Sequence, residues 1–186
     1  MASRYRYDCI VIGAGAAGLV ASKLANGMGK RVALIEKHRI GGDCTLTGCV
    51  PSKTLIKSAR VVHMMRNLRQ YGIRTNSSFT FKGEHIFKHV RSVIRDVYNA
   101  RHTPESLIDE GIDVIYGHAR CVDAHTVDVE GDHLSADRMI IATGSEPTVP
   151  PINGLDEVPY YTNDNLYNME YIPESLVVLG AGPLGL

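Results

Sequence analysis

The sequence has no excess of charge of either sign, since 20 lysines and arginines balance 20 aspartates and glutamates over 186 residues. No nucleic acid or anionic membrane partner recruited by net charge is therefore expected. No run approaches the ~20 apolar residues that a bilayer span requires, so no transmembrane segment is expected either. Arg4 and Arg6 ahead of the small and apolar run from Cys9 to Ala21 imitate a secretory signal. Asp8 abuts that run, glycines punctuate it and a second strand follows where a mature N-terminus would begin, so the expected location is cytoplasmic, with a cleaved organelle presequence excluded only if Met1 is the true start. Cysteine is scarce: positions 9, 44, 49 and 121 are too few and too uneven for a secreted disulfide framework. No CxxC pair accompanies Cys44 and Cys49 to complete a tetrahedral set, so no structural metal is expected. The length allows a core of ordinary size, one domain and part of another.

Glycines and apolar runs organise what is there. Tyr7-Asp8-Cys9-Ile10-Val11-Ile12 reads as a buried parallel strand, Ala16 to Met28 as a helix closed by Gly27 and Gly29, and Arg31 to Ile35 as a strand ending in Glu36. Strand, helix and strand in this order make a βαβ crossover. Gly13-Ala14-Gly15-Ala16-Ala17-Gly18 joins the first strand to the helix, which is the context a dinucleotide fingerprint demands. Gly13 permits the tight turn, Gly15 lets the backbone approach a pyrophosphate, and Gly18 allows close packing of helix on strand. The helix N-terminus offers free N–H groups and its positive dipole end to phosphate. Glu36 is placed to accept from ribose hydroxyls. The fingerprint alone does not separate FAD from NAD.

Gly41 to Cys49 reads as a loop entering a helix that runs on through Lys53, Ile56, Ala59, Val62 and Met65. Tyr71 to Thr80 reads as loop, with a turn signal at Asn76-Ser77-Ser78. His85 to Glu110 reads as one long helix, or as two if Thr103-Pro104 breaks it. Ile112 to Tyr116, Ala119 to Val122, Thr126 to Val129 and Arg138 to Ala142 read as strands, the last entering Thr143-Gly144-Ser145. Prolines crowd the segment from Pro147 to Pro151, a linker and a domain boundary. Ser175 to Leu179 reads as a fresh apolar strand leading into Gly180-Ala181-Gly182-Pro183-Leu184-Gly185.

Cys44 and Cys49 are the chemically suggestive pair. On a regular helix an i, i+5 pair is separated by about 7.5 Å of axial rise, too far for a disulfide to close. A disulfide here needs an irregular turn. Gly48 loosens it, and Pro51 lacks the N–H that would bond the Thr47 carbonyl. Strain makes such a bond easier to reduce. Lys53, four residues past Cys49, lies on the same helical face and can favour a thiolate. Reduced cysteines, or half of a zinc site, remain alternatives on spacing alone. Cys9 and Cys121 each fall within a strand and are expected to pack as small hydrophobes.

The run Gly41-Gly42-Asp43-Cys44-Thr45-Leu46-Thr47-Gly48-Cys49-Val50-Pro51-Ser52-Lys53 resembles the redox signature of the class I FAD-dependent pyridine nucleotide-disulfide oxidoreductases, the family of mercuric reductase, dihydrolipoamide dehydrogenase and glutathione reductase. The resemblance extends from Tyr7 to the last residue. It implies an α/β fold: residues 1–148 as the N-terminal part of a Rossmann-like FAD-binding domain, with a parallel sheet, a crossover helix and an antiparallel β-meander. Residues 149–186 are then a linker and the first strand of an NAD(P)-binding Rossmann domain.

The resemblance also implies roles. FAD is held by Gly13, Gly15, Ala16, Ala17, Gly18, Glu36, Lys37, Gly42, Asp43, Cys44 and Lys53. Tyr116-Gly117-His118-Ala119 meets the adenine through its backbone, and Ala142-Thr143-Gly144-Ser145 turns at a strand end near the cofactor. Gly180, Gly182 and Gly185 receive NAD(P)H, the co-substrate. Electrons pass from NAD(P)H through FAD to a Cys44–Cys49 disulfide, with Cys49 as the flavin-side thiolate, Cys44 as the thiol that exchanges with substrate, and Lys53 as the third catalytic residue. Mercuric ion, with Cys44 and Cys49 as transient ligands, a lipoyl group and other small-molecule or protein-bound disulfides are the implied acceptors. Asp43 stands where many members carry threonine and points toward the mercuric-reductase-like branch. The expected whole is a homodimer whose C-terminal half follows Leu186, and the 186-residue chain is not expected to turn over alone. A non-catalytic FAD- or nucleotide-binding module is the alternative reading.

Overall fold

The expected crossover is formed by β1 (Tyr7–Ile12), α1 (Ala16–Gly27) and β2 (Val32–Glu36) in a computed structural model that describes residues 4–76, 79–182 and 185. The chain divides into two compact units, Met1–Leu46 with Asp96–Glu146, and Thr47–Arg95 with Pro147–Leu186. The first unit holds one six-stranded sheet in the order β3-β2-β1-β6-β5-β4. Its remaining strands are β3 (Asp113–Tyr116), β4 (Ala119–Cys121), β5 (Thr126–Val129) and β6 (Asp132–Ile141). β3, β2, β1 and β6 run parallel, while β6, β5 and β4 form an antiparallel meander.

Burial on both faces explains why β1 and β2 read as continuous apolar runs. Ile10, Ile12, Ala33 and Ile35 join Val127, Val129, Leu134 and Ala136 in one cluster. Cys9, Val11, Val32 and Leu34 join Leu19, Leu107 and Ile112 in another. The parallel register sets Ile12 beside both Ile35 and Ile141, and Glu36 beside Tyr116, so the C-terminal ends of four strands come together. Ligands of open α/β sheets bind at such strand ends.

The second unit is built from α3 (Cys49–Arg66), a 3-10 turn at Leu68–Tyr71, most of α4 (Gly83–Arg101) and the C-terminal segment. Its buried apolar residues include Pro51, Phe87, Val90, Tyr167 and Met169. Arg91 holds the C-terminal segment by donating from one guanidinium nitrogen to the carbonyls of Tyr167 and Met169, at 3.3 and 3.0 Å.

Several elements differ from the sequence reading. The loop expected from Gly41 to Cys49 contains a short helical turn, α2 (Gly42–Leu46). The long helix is two, α4 and α5 (Pro104–Asp109): Thr103 caps α5 by accepting from the Ser106 N–H at 3.2 Å, with Pro104 in the first turn where its missing N–H costs nothing. The strand expected at Arg138–Ala142 starts six residues earlier, at Asp132. Glu130 and Gly131 both take positive φ, +53° and +97°, and close a tight hairpin that pairs its first half with β5. Cys121 is exposed, not packed, because β4 is a three-residue strand at the sheet edge and ends there. Ser175–Leu179 is no strand: Leu176, Val177, Val178 and Leu179 are 54–83% exposed, and no strand among the described residues pairs with them. The turn signal at Ser77-Ser78 lies outside the described residues.

Candidate functional site

The glycine loop is shaped by contacts that exclude side chains. Gly13 takes φ +101°, and a Cβ there would collide with the Ala142 carbonyl oxygen at the end of β6. A Cβ on Gly18 would collide with the Gly13 carbonyl oxygen, so the helix can start this close to its strand only with glycine. Gly15 is the N-cap of α1, with no side-chain cap and no acidic residue in the first turn. The first turn, with Ala16 and Ala17 exposed, thus presents N–H groups to an anion.

Glu36 does more than the sequence reading assigned to it. One carboxylate oxygen accepts the Ala14 N–H and the other the His38 N–H, each at 2.8 Å. The carboxylate therefore braces the glycine loop against the segment that follows β2, and its remaining lone pairs are those a ribose could use. Lys37 is exposed beside it. Just past β3, the Gly117 N–H donates to the Glu36 carbonyl at the end of β2 at 3.0 Å. Glu130 accepts the His118 N–H at 3.0 Å, so His118 is engaged through its backbone while its side chain is exposed. Ala119 begins β4 and packs on the core. Burial first, then Tyr98, Glu36 and Glu105 nearby, push the Tyr116 phenol above its ordinary pKa. The Ala142 N–H donates to the Ile12 carbonyl at 2.8 Å, fixing Ala142 beside Gly13, and Thr143, Gly144 and Ser145 follow as exposed chain.

The cysteine-bearing turn is joined directly to this loop. The Gly41 N–H donates to the Ala14 carbonyl at 2.8 Å. Gly42 takes φ +53°, and a Cβ there would lie 2.6 Å from the Gly15 Cα. Backbone rests on backbone, and Asp43 and Cys44 follow at once on α2. Cys44 is half-buried and Asp43 exposed. Thr45 is buried and its hydroxyl shares a 3.2 Å hydrogen bond with His102 Nδ1. Nothing in the sequence marks His102, because a histidine 57 residues away from its partner carries no local signal.

Thr47 and Gly48 separate α2 from α3, so the pair of cysteines falls on two helical segments, as the irregular turn required. Gly48 is the N-cap of α3, Cys49 its first residue and Pro51 sits in its first turn, where the absent N–H is harmless. Cys49 and Lys53 are both exposed, one helical turn apart. Ser52 donates from its N–H to the Gly48 carbonyl at 3.0 Å and from its hydroxyl to the Cys49 carbonyl at 3.3 Å, which closes that turn. Burial pushes the Tyr167 phenol above its ordinary pKa, and a hydrogen bond with Ser52 opposes this. Among the described residues no group of three or more His, Cys, Asp or Glu is arranged to hold a metal ion. None of their helices is long and apolar enough to cross a membrane.

The second glycine loop repeats the geometry of the first. Gly180 takes φ +112°, a Cβ on Gly185 would collide with the Gly180 carbonyl oxygen, and Val178 Cγ1 lies 3.2 Å from that Cβ position. At the first loop the corresponding partners of Gly18 are the Gly13 carbonyl and Val11 Cγ1 at 3.4 Å. The Gly185 N–H donates to the Gly182 carbonyl at 3.0 Å.

Comparison with known proteins agrees with this geometry. The family of pyridine nucleotide-disulphide oxidoreductases matches residues 7–186. A mercuric reductase of Bacillus cereus is 36% identical over 183 residues, which are 98% of this chain and 28% of that protein. A dihydrolipoyl dehydrogenase of Acholeplasma laidlawii is 34% identical over 184 residues, 97% of this chain and 54% of that protein. The structure of the HOCl-induced flavoprotein disulfide reductase RclA from Escherichia coli superposes with a TM-score of 0.77 at 30% identity, over 96% of this chain and 38% of that one. The chain thus spans 28–54% of the length of these relatives.

Proposed function

The chain belongs to the pyridine nucleotide-disulphide oxidoreductase family, and on that premise we propose that it forms the FAD-binding, redox-disulfide part of an NAD(P)H-dependent flavoprotein reductase. The carrying observation is the contact of Gly42 with Gly15, together with the Gly41 N–H bond to Ala14, which attaches the Cys44 turn to the dinucleotide loop. A thiol placed two residues from that contact belongs to the same site as the dinucleotide.

The residues present suit FAD. Gly13, Gly15 and Gly18 keep side chains out of the cradle, and the N–H groups from Ala16 and Ala17 face the phosphates. Glu36 and Lys37 serve the ribose, Gly117, His118 and Ala119 the adenine, and Ala142, Thr143, Gly144 and Ser145 the strand-end side of the cofactor. Bound there, FAD supplies two-electron transfer between a reduced nicotinamide and a disulfide. In this reading Cys49 is the flavin-side thiolate, with Lys53 favouring its charge, and Cys44 attacks the external acceptor. Gly42, Asp43, Cys44 and Lys53 complete the flavin environment, and Gly180, Gly182 and Gly185 receive the nicotinamide dinucleotide. The acceptor is a soft electrophile that two thiolates can capture, a disulfide or mercuric ion. The working form is a cytoplasmic homodimer of the full-length protein.

Variants of the full-length protein test this. After anaerobic two-electron reduction, Cys49→Ser should lack the long-wavelength thiolate–flavin absorption band. Cys44→Ser should keep the band and lose turnover with lipoamide, oxidised glutathione and mercuric chloride. Identical behaviour of the two variants would show that the roles are wrongly divided, and a protein that ignores added FAD would remove the proposal altogether.

A further inference from the structure

The helical turn that carries Cys44 is anchored by a contact that the proposed chemistry leaves unused. Thr45 follows Cys44 directly and is only 3% exposed. One side of it packs on Gly41, where a Cβ would come within 3.0 Å of the Thr45 Cβ, and its N–H points to the Gly41 carbonyl at 3.4 Å. On the other side its hydroxyl meets His102 Nδ1 at 3.2 Å. His102 is itself held: its N–H donates to the Tyr98 carbonyl at 2.8 Å at the end of α4, and Thr103 after it caps α5. Burial, with Lys23 and Arg101 nearby, holds the imidazole below its ordinary pKa. A neutral ring can pair with a hydroxyl in either tautomer.

We propose that His102 is a positioning residue for Cys44: through the Thr45 hydroxyl it fixes the turn Gly42–Leu46 and so the presentation of the exchange thiol. This rests on the reading of Cys44 as that thiol. The turn is five residues long, Gly41 before it and Gly42 at its start occupy positive φ, and it has no helix length of its own to hold its orientation. Gly41 and Gly42 hold its start on the glycine loop, and a tether at Thr45 holds its middle, next to Cys44. His102 does not touch the reacting atoms in this role, and it acts only through Thr45.

The test uses the full-length holoenzyme, reduced anaerobically with stoichiometric dithionite and treated with iodoacetamide, with alkylation at Cys44 followed by peptide mass. His102→Leu and Thr45→Val should each slow alkylation of Cys44 by about tenfold, the scale of a modest misplacement of a reacting group. The double variant should be no slower than either single one, because both remove one bond. His102→Asn, which can still reach the hydroxyl, should recover most of the rate. The thiolate–flavin band, which reports on Cys49, should be unchanged in all of them. If His102→Leu does not fold, Thr45→Val carries the comparison, since it exchanges a hydroxyl for a methyl of nearly the same size. A wild type that reacts at Cys44 while Thr45→Val reacts within about twofold of it overturns the assignment of His102 alone, as does a double variant whose losses multiply. A wild type that is not alkylated at Cys44 after reduction overturns the reading of Cys44 and the tether with it.

Discussion

At the scale of single residues, one amino-acid type serves four environments. Cys9 is 7% exposed between Val11, Leu34 and Ile112, Cys44 is half-buried on the turn beside the glycine loop, Cys49 opens α3 in an exposed position and Cys121 ends an edge strand. Thiolate chemistry needs access and stabilised charge, so Cys9 is unsuited to it. Burial pushes its thiol above the ordinary pKa. The sign for stability follows: in the unfolded chain a thiol loses its proton near pH ~8.5, while in the folded chain Cys9 keeps it to higher pH. Above that value the native state binds more protons than the unfolded one, so the contribution of Cys9 is fully present below it and is lost as pH rises from there through the higher value of the folded chain. Chemical denaturation between about pH 8 and about pH 10 should show a falling midpoint, and the fall should be shallower in Cys9→Ala. Equal slopes in the two proteins would mean that the buried thiol does not carry this dependence. Tyr7, whose phenol is also raised by burial and by its 2.9 Å bond to Asp113, adds a loss of the same sign at still higher pH.

Elements were legible in the sequence to the extent that their signals are local. The glycine loop is the clearest case, because the spacing of its glycines is itself the signal and Gly18 is required by Gly13 within the loop, although Gly13 also meets the distant Ala142. The helix break is legible for the same reason, since Thr103 and Pro104 are adjacent and together cap and start α5. Thr103→Ala should cost about 1 kcal/mol of stability, read from the denaturation midpoint, with Thr103→Ser close to wild type. A loss in the serine variant equal to that in alanine would show that the methyl group, not the cap, is what matters. The first half of β6 carries the alternation of a strand with one face solvated, His133, Ser135 and Asp137 against Leu134 and Ala136, but in residues most of which have weak strand propensity, so its signal is faint. His102 was illegible because its partner lies 57 residues away and the contact exists only once α2 and the end of α4 are folded. Ser175–Leu179 is the opposite case in this chain. Its β-branched and apolar composition satisfies the strand pattern, yet a strand is defined by pairing, and propensity alone does not provide a partner.

At the scale of the whole chain, the two glycine loops share one turn geometry and differ in what surrounds them. The first is fed by β1, which is paired on both sides and buried. The second is fed by Leu176–Leu179, which has the same apolar character, the same contact of a valine Cγ1 with the third glycine, and no neighbour strand among the described residues. The turn is therefore encoded in its own glycines, and the strand that should support it is a property of the assembled sheet. An extended apolar segment with unpaired backbone exchanges its amides freely, whereas a central strand opens only with global unfolding. In the 186-residue chain, amides of Val177, Val178 and Leu179 should exchange with deuterium at rates close to those of an unstructured peptide, while those of Ile10, Val11 and Leu34 are protected by the full stability of the first unit. In the full-length protein the amides of 176–179 should become protected as well, because a parallel Rossmann sheet buries its first strand on both faces. The comparison separates two accounts of the segment. Protection that is already present in the 186-residue chain would show that 176–179 finds a partner within it, whereas exchange in both proteins would show that this segment is no strand of a second dinucleotide-binding sheet.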